Sequence, residues 1–305
     1  MPRATRKSSA ASVPGLVVGA HGRHYMVELA NGSILHCYPR GKKSNLACGD
    51  RVAVQRTAKD QGVIDSIAPR STLLYRSDQY REKIIAANLT QVVVVVAAKP
   101  SFYEDVLTRC LIGAESQHVK SLIVLNKADL EEETAATSKR LMLYESIGYP
   151  VVRLSAKRDI SPLRPLLARH MSVLVGQSGM GKSTIVNALI PGALARTAAV
   201  SESLDSGKHT TTSAHVYHLE SNAHIIDSPG MQSFGLHHLP QQELVEAFPE
   251  FRQLIGGCRF NDCRHTVEPG CAIIAAADSG AIEIRRWQAY CSLAKELAAS
   301  KPHWA

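Results

Sequence analysis

The sequence predicts a multidomain chain, with a small β-barrel at the N-terminus, an α/β domain in the centre and a mainly helical domain at the C-terminus. Three observations support this prediction. Short alternating apolar segments fill the first quarter of the 305 residues, apolar runs then alternate with helix-like segments, and the last part combines a Cys/His cluster with an amphipathic helix. A hydrophobic content of 45% allows sizeable cores and argues against global disorder.

The N-terminal barrel is predicted from five short strand-like segments between residues 13 and 68, separated by turn residues such as Asn31-Gly32. Five strands in so short a segment are typical of an OB-fold, which binds nucleic acid through a basic face and aromatic platforms. Tyr25 and Tyr38 are candidate platforms, and the alternative is that both pack half-buried against the barrel.

The positive charge of the chain lies in its N-terminal quarter. The formal net charge is +8, and residues 1–85 hold 14 Lys/Arg against 6 Asp/Glu, while the remaining residues hold 21 of each. This asymmetry favours a polyanion partner, because each phosphate contact releases condensed counterions; a solvated basic face is the alternative. Within this region, residues 1–12 are predicted to be a basic flexible tail and residues 69–85 a basic linker.

Several features predict a cytoplasmic protein without a membrane partner. The longest apolar run, Val92 to Ala98, is far shorter than the roughly 20 residues that a membrane-spanning helix requires. The basic N-terminus has no apolar signal-peptide core, and seven cysteines without a secretion signal argue against a disulfide framework. We expect a monomer, because the sequence contains no coiled-coil heptads or other dimer motif.

The central domain, residues 86–236, is predicted to contain a mostly parallel sheet covered by helices on both faces. Strand-like runs alternate with helix-like segments, as in repeated β-α-β units, and two further strands lead to Asp227. The strand-like runs lie at 92–98, 121–125, 150–154 and 171–175, and the helix-like segments lie near 104–117, 131–147 and 162–169.

A complete phosphate-loop pattern, Gly-x4-Gly-Lys-Ser, follows the last of these runs and opens a helix. Its backbone N–H groups would surround phosphates, Lys182 would lie between the β- and γ-phosphates, and the Ser183 hydroxyl would bind Mg²⁺. Asp227 is expected to hold Mg²⁺ directly or through water, and the N–H of Gly230 would approach the γ-phosphate. The loop comprises Gly176, Gln177, Ser178, Gly179, Met180, Gly181, Lys182, Ser183 and Thr184.

Two further motifs predict that the base is guanine. They are Asn126-Lys127-Ala128-Asp129 and Ser155-Ala156-Lys157. The Asp129 carboxylate can accept from guanine N1–H and the exocyclic amine, a donor pair that adenine lacks, so the site would select GTP over ATP. Asn126 and Lys127 would support the loop and pack on the base, while the backbone of the second motif would contact the guanine oxygen.

The order of these motifs indicates a circularly permuted GTPase. In an ordinary small GTPase the phosphate loop comes first and the guanine motifs last, whereas here both guanine motifs precede it. The segment after Gly230 therefore leads straight into the C-terminal domain, residues 237–305. We hypothesise that the γ-phosphate orders the loops at 195–212 and 228–238 and that hydrolysis releases them.

The residue expected to orient the attacking water is missing. Met231 stands where classical GTPases have glutamine, and its thioether cannot make a useful hydrogen bond, so intrinsic hydrolysis should be slow. His209 is the candidate catalytic residue, and its alternatives are a solvated loop residue or a partner contact. One of three neighbouring hydroxyls should bind Mg²⁺ and the γ-phosphate, and these belong to Thr210, Thr211 and Thr212.

A structural zinc site is predicted near the C-terminus. Cys258, Cys263, His265 and Cys271 supply three thiolates and one imidazole, a set suited to closed tetrahedral Zn²⁺. A set of reduced structural cysteines is the alternative. The upstream pair His237-His238 is a weaker source of ligands, because it is distant and has no cysteine partners.

Together the barrel, the permuted motifs, the Gly-Lys-His-Thr-Thr-Thr loop and the Cys-x4-Cys-x-His-x5-Cys cluster resemble the bacterial ribosome small-subunit-dependent GTPase A family. The resemblance spans about residues 14 to 299. It implies a cytoplasmic assembly factor that binds the small ribosomal subunit, with ribosomal RNA contacted by the barrel and the zinc domain. It also implies ribosome-stimulated GTP hydrolysis and a hydrophobic residue in place of glutamine, which Met231 matches. The alternatives are a GTP-regulated binding module for another structured RNA and a nucleic-acid-binding protein with a vestigial nucleotide site.

Overall fold

The computed structural model confirms the predicted multidomain fold class, with a closed five-stranded barrel, a permuted α/β domain and a helical domain with a Cys/His cluster. It describes residues 12–41, 45–77, 82–193, 214–227, 236 and 239–299.

The N-terminal barrel contains all five predicted strands. They are β1 (Val13–His21), β2 (His24–Leu29), β3 (Ile34–Pro39), β4 (Arg51–Arg56) and β5 (Gln61–Ile67). The order is β1-β2-β3-β5-β4, and β4 pairs again with β1 to close the barrel. Alternate side chains point inward, so Val27, Leu35 and Val54 form its core. Tyr25 is 4% exposed and belongs to this core, so only Tyr38, at 46% exposure, remains a candidate platform.

A β-hairpin occupies most of the segment predicted to be a linker and extends two residues beyond it. β6 (Leu73–Ser77) pairs antiparallel with β7 (Glu82–Ala87). Leu74 and Ala86 are buried in the core of the central domain. The N–H of Ala87 donates to the carbonyl of Cys48 at 2.9 Å, which attaches the hairpin to the chain of the barrel domain.

The central domain contains a six-stranded sheet. Its strands are β8 (Gln91–Ala97), β9 (Lys120–Asn126), β10 (Val151–Arg153), β11 (Met171–Val175), β12 (Ala214–Leu219) and β13 (Ala223–Asp227). The order is β10-β9-β8-β11-β13-β12, with every neighbouring pair parallel except β13 and β12. Every residue of β8 is buried, as expected for a parallel strand covered on both faces.

Helices accompany these strands. They are α1 (Glu104–Glu115), α2 (Glu131–Ile147), α3 (Arg164–Leu167), which follows a 3-10 turn at Ser161–Leu163, and α4 (Lys182–Leu189). Three glutamates fill the first turn of α2, where the helix dipole favours negative charge. Gly148 ends this helix with a φ of +107°, a conformation that favours glycine.

The barrel and the central sheet form one continuous sheet. β1 pairs antiparallel with β12 through Gly19 opposite His215 and Ala20 opposite Ala214. Together with the barrel strands, this pairing produces an 11-stranded sheet. The barrel is therefore attached to the strand that precedes β13 and Asp227.

The C-terminal domain is helical and has its own core. It contains α5 (Gln241–Glu246), a 3-10 helix at Pro249–Leu254, α6 (Ala272–Asp278) and α7 (Ile284–Ala299). Phe248 and Phe251 stack at 4.8 Å between ring centroids, and Tyr290 packs edge-on against both. Within the residues described, no helix has the length and apolar character that crossing a membrane would require.

Candidate nucleotide site and metal centre

The predicted nucleotide motifs meet at one edge of the central sheet. β11 leads into the phosphate loop, β9 ends at Asn126, β13 ends at Asp227, and Ser155 follows β10 closely. Because β11 lies between β8 and β13, the phosphate loop lies between the guanine motifs and Asp227. Open α/β sheets bind ligands in the crevice outside the carboxyl ends of their strands.

The phosphate loop has a backbone shape that requires glycine. Gly176 has a φ of +135° and Gly181 a φ of +93°. A Cβ atom on Gly176 would lie 2.3 Å from the carbonyl oxygen of Val95, and one on Gly181 would lie 2.3 Å from the side-chain nitrogen of Asn126. The Lys182 ammonium donates to two carbonyls of the loop, at 2.6 and 2.8 Å. Its charge therefore lies directly over the loop.

The Asn126 side chain joins three motifs. It is 2% exposed, its amide nitrogen donates to the carbonyl of Met180 at 3.0 Å, and its oxygen accepts from the N–H of Ala156 at 3.0 Å. Lys127 makes a second connection, because its ammonium donates to the carbonyl of Gly179 at 2.8 Å. These bonds hold both guanine motifs in register with the phosphate loop.

Asp129 lies partly exposed at the rim of this crevice. The Ser155 hydroxyl and the backbone N–H of Asp129 donate to its carboxylate and lower its pKa, with help from the charges of Arg158 and Lys157. The N–H of Ala128 donates to the carbonyl of Leu154 at 3.0 Å, which fixes the same turn against the end of β10. The carboxylate is therefore ionised at neutral pH and available to accept hydrogen bonds.

Asp227 and Lys182 supply opposite charges beside the phosphate loop. Burial raises the pKa of Asp227, and Lys182 opposes this shift. Burial likewise lowers the pKa of Lys182, and Asp227 opposes that shift. Ser183 is exposed at the start of α4, where its hydroxyl can reach a ligand. The carboxylate and the hydroxyl are oxygen donors of the kind that Mg²⁺ prefers.

Other predicted site residues lie outside the described part of the chain. They are His209, Thr210, Thr211, Thr212, Gly230, Met231, His237 and His238. Their predicted roles stay predictions.

The Cys/His cluster brings together four side chains that could hold a metal ion. The ligand atoms of Cys258, Cys263, His265 and Cys271 all lie within 4.8 Å of one another. The sulfur atoms of Cys258 and Cys271 are 3.8 Å apart, and the Nδ1 atom of His265 lies 3.4 Å from each. Four ligands about 2.1–2.3 Å from a central Zn²⁺ would be separated by about 3.5–3.8 Å. The donor set and its spacing therefore fit zinc.

Neighbouring groups orient this cluster. The Trp287 indole donates to the carbonyl of His265 at 2.9 Å, and the Tyr290 hydroxyl donates to the carbonyl of Arg264 at 2.8 Å. The Glu268 carboxylate accepts from three N–H groups of the same turn. α7, which carries both aromatic residues, therefore holds the turn that presents His265.

Sequence reasoning missed a set of connections around the phosphate loop. The side chain of Gln177 accepts from the N–H of Tyr103 at 2.7 Å, and Lys127 donates to the carbonyl of Lys99 at 2.6 Å. No motif marks residues 99–103, because their role depends on contacts with parts of the chain distant in sequence.

The motif order and the sheet order together define a circularly permuted GTPase. A family model described as RsgA GTPase matches residues 67–237. The chain belongs to the RsgA GTPase family.

Individual relatives support this assignment over nearly the whole chain. A small ribosomal subunit biogenesis GTPase RsgA from Nitrosospira multiformis is 52% identical, and the match covers 97% of this chain and 95% of the relative. A protein of the same name from Nitrosomonas europaea is 48% identical, with 98% and 96% covered.

Two solved structures share the fold. YjeQ from Thermotoga maritima matches with a TM-score of 0.74 at 29% identity, covering 94% of this chain and 99% of that one. YloQ, described as a circularly permuted GTPase, matches with a TM-score of 0.71 at 25% identity, covering 99% and 100%.

Proposed function

We propose that this chain binds GTP at the crevice beside the phosphate loop, hydrolyses it slowly alone, and does so faster on the small ribosomal subunit. The observation that carries the proposal is the joining of the guanine motif to the phosphate loop through the buried Asn126. Lys182 holds the β- and γ-phosphates, and Asp129 reads the guanine. The proposed GTP-binding residues are Asn126, Lys127, Ala128, Asp129, Ser155, Ala156, Lys157, the loop 176–184, Asp227 and Gly230.

Magnesium would accompany GTP. Ser183 and Asp227 are the proposed ligands, and one of the threonines at 210–212 completes the set. The ion would neutralise charge on the phosphates. The half-buried carboxylate of Asp227 beside the phosphate loop supports this assignment, because partial burial raises its pKa and a bound cation would favour its ionised form.

The Cys/His cluster would hold one structural zinc ion. All four ligands are protein groups, so the ion keeps no open position for substrate. Zinc would connect the turn at 258–271 to α6, which begins directly after Cys271. The C-terminal domain would then depend on the ion for its fold.

The proposed partner is the small ribosomal subunit with its RNA. Support comes from the names of the close relatives and from the barrel surface, where the exposed Tyr38 packs edge-on against His24 at 4.6 Å between ring centroids. Exposed Arg23 lies in the turn directly before His24, and exposed Arg40 follows β3 two residues after Tyr38. Aromatic groups beside basic ones suit single-stranded or looped RNA.

A cytoplasmic, monomeric assembly factor without a membrane partner is the corresponding cellular proposal. The proposed domain boundaries are 1–12 for the tail, 13–68 for the barrel, 69–85 for the linker, 86–236 for the GTPase domain and 237–305 for the zinc domain.

The function is tested by measuring GTP turnover with and without purified small subunits at one fixed, near-physiological salt concentration. We expect a large increase with small subunits and none with large subunits or bulk RNA. Equal stimulation by unrelated structured RNA would favour the alternative of a GTP-regulated module for another RNA. If the chain binds GTP but small subunits do not increase its turnover, a ribosomal role would be contradicted.

His209 is the proposed catalytic residue in place of the missing glutamine. We expect His209→Ala to lower subunit-stimulated turnover by about 10²-fold, the lower range for loss of a general acid–base group, while GTP affinity stays unchanged. His118→Asn, at an exposed histidine outside the barrel between α1 and β9, is the control and should leave stimulated turnover unchanged. Stimulated turnover equal to that of the unsubstituted protein would remove His209 from the mechanism.

A further inference from the structure

A short loop contacts both the Asn-Lys-Ala-Asp motif and the phosphate loop. Residues 99–103, named here the brace loop, lie between β8 and α1. The Lys127 ammonium donates to the carbonyl of Lys99 at 2.6 Å and to that of Gly179 at 2.8 Å. Pro100 packs closely on the phosphate loop, since a Cβ on Gly179 would lie 3.1 Å from its ring. The brace loop thus contacts the guanine motif through Lys127 and the phosphate loop through Gly179.

Gln177 makes the second attachment of the phosphate loop to the brace loop. Its side-chain oxygen accepts from the N–H of Tyr103 at 2.7 Å. Tyr103 is the N-cap residue directly before α1, and its own side chain makes no capping hydrogen bond. A side chain of the phosphate loop therefore fixes the N-terminal end of α1.

α1 is packed between two cores. Leu107 and Leu111 belong to the core of the central domain, whereas Ile112 belongs to the core of the C-terminal domain. All three are at most 1% exposed. Because close-packed interiors resist deformation, a displacement of the start of α1 moves the helix as a unit against the C-terminal domain.

Ion pairs attach the same helix to α7. The Arg109 guanidinium, 13% exposed, donates twice to Glu296, at 2.9 and 2.6 Å. Arg285 donates to Glu104 at 3.0 Å, and the buried Arg286 donates to the hydroxyl of Thr108 at 3.3 Å. The bidentate pair between Arg109 and Glu296 fixes orientation as well as distance.

We propose that Gln177 is a positioning residue for the phosphate loop and that, through Tyr103 and α1, it couples nucleotide binding to the docking of the C-terminal domain. This inference rests on the proposed binding of GTP and GDP at the same loop. The route is separate from the chain connection after Asp227. By linkage, a change in the docking of the C-terminal domain changes nucleotide affinity by the same factor as nucleotide changes docking.

The first test removes the acceptor with Gln177→Met and measures the dissociation rate of a fluorescent GDP analogue from the full chain. We expect release to be about 3- to 10-fold faster, the equivalent of one neutral hydrogen bond. Glu296→Gln, which weakens the attachment of α7 to Arg109 of α1, should also accelerate release. The combined variant should show less than the product of the two effects, because both act through one route.

Glu145→Gln is the matched control. Glu145 also accepts two hydrogen bonds from an arginine, Arg153, but this pair does not connect α1 with α7. It should leave GDP release unchanged. The coupling would be overturned if Gln177→Met released GDP at the unsubstituted rate. It would also be overturned if the combined variant's increase in release rate equalled the product of the two single increases. Failure of the unsubstituted chain to bind GDP would instead contradict the proposed function.

A nucleotide-free readout tests the contact itself. Amide hydrogen exchange at Tyr103 should be faster in Gln177→Met than in the unsubstituted chain, whereas Gln177→Glu, which retains an acceptor, should restore protection. Equal protection in all three proteins would show that Gln177 does not hold the start of α1. Gln177→Asn, whose side chain is shorter, replaces the methionine variant if that protein does not fold.

Discussion

Asp129→Asn is expected to weaken GDP and GTP binding by about 10²- to 10⁴-fold, the range in which hydrogen-bonding sites reject a mismatched ligand. The carboxylate offers two acceptors, whereas the amide offers one acceptor and one donor that faces the guanine amine. The Ser155 hydroxyl, which donates to Asp129, would also lose its charged acceptor. The measurement is a titration with a fluorescent GDP analogue.

The same substitution should improve binding of xanthosine diphosphate, because xanthine has a carbonyl in place of the exocyclic amine and can accept from the new amide. Glu132→Gln is the matched control, since Glu132 is an exposed acid in the first turn of α2. GDP affinity that survives Asp129→Asn, or no gain for the xanthine nucleotide, would contradict guanine recognition by Asp129.

Cys271→Ser should abolish binding of one zinc ion per chain and unfold the C-terminal domain. Structural zinc contributes on the order of 10 kcal/mol in small zinc-dependent folds, more than a helical domain of this size can replace. Cys271 is 3% exposed and lies directly before α6, so the lost ligand disconnects the turn from that helix. Metal analysis and amide hydrogen exchange across 241–299 would measure both effects.

Cys291→Ser is the control for this substitution, because Cys291 lies in α7 of the same domain but outside the four-ligand cluster. It should retain zinc and exchange protection. A Cys271→Ser protein that keeps its zinc and its protected helices would identify the cluster as reduced structural cysteines.

Much of this architecture follows from local patterns. Alternating apolar residues predict the barrel strands, and the uninterrupted valines of β8 predict a buried parallel strand, because side-chain period and burial are properties of short segments. The motif order alone predicts the permutation. The β6–β7 hairpin was missed, since its charged and polar residues hide two short strands within a segment that reads as a connector.

The connections around the phosphate loop were beyond sequence reasoning. Gln177 lies 74 positions from Tyr103, and Arg109 lies 187 positions from Glu296. Neither pair has a signature in composition or spacing, because each depends on how separate elements pack. Tyr25 illustrates the same limit: the alternation of its strand was clear, yet which of two tyrosines faced solvent depended on the register of the closed barrel.

The pairing of β1 with β12 also covers a sheet edge that could otherwise pair with strands of other molecules. β13 covers one side of β12, and without β1 the other side would present unpaired N–H and C=O groups. Exposed edges of this kind recruit strands from other molecules and promote aggregation. The barrel closes on itself, so it covers the start of β12 without offering its own strands as a new edge. The barrel thus also shields this edge of the central sheet from strand pairing between molecules.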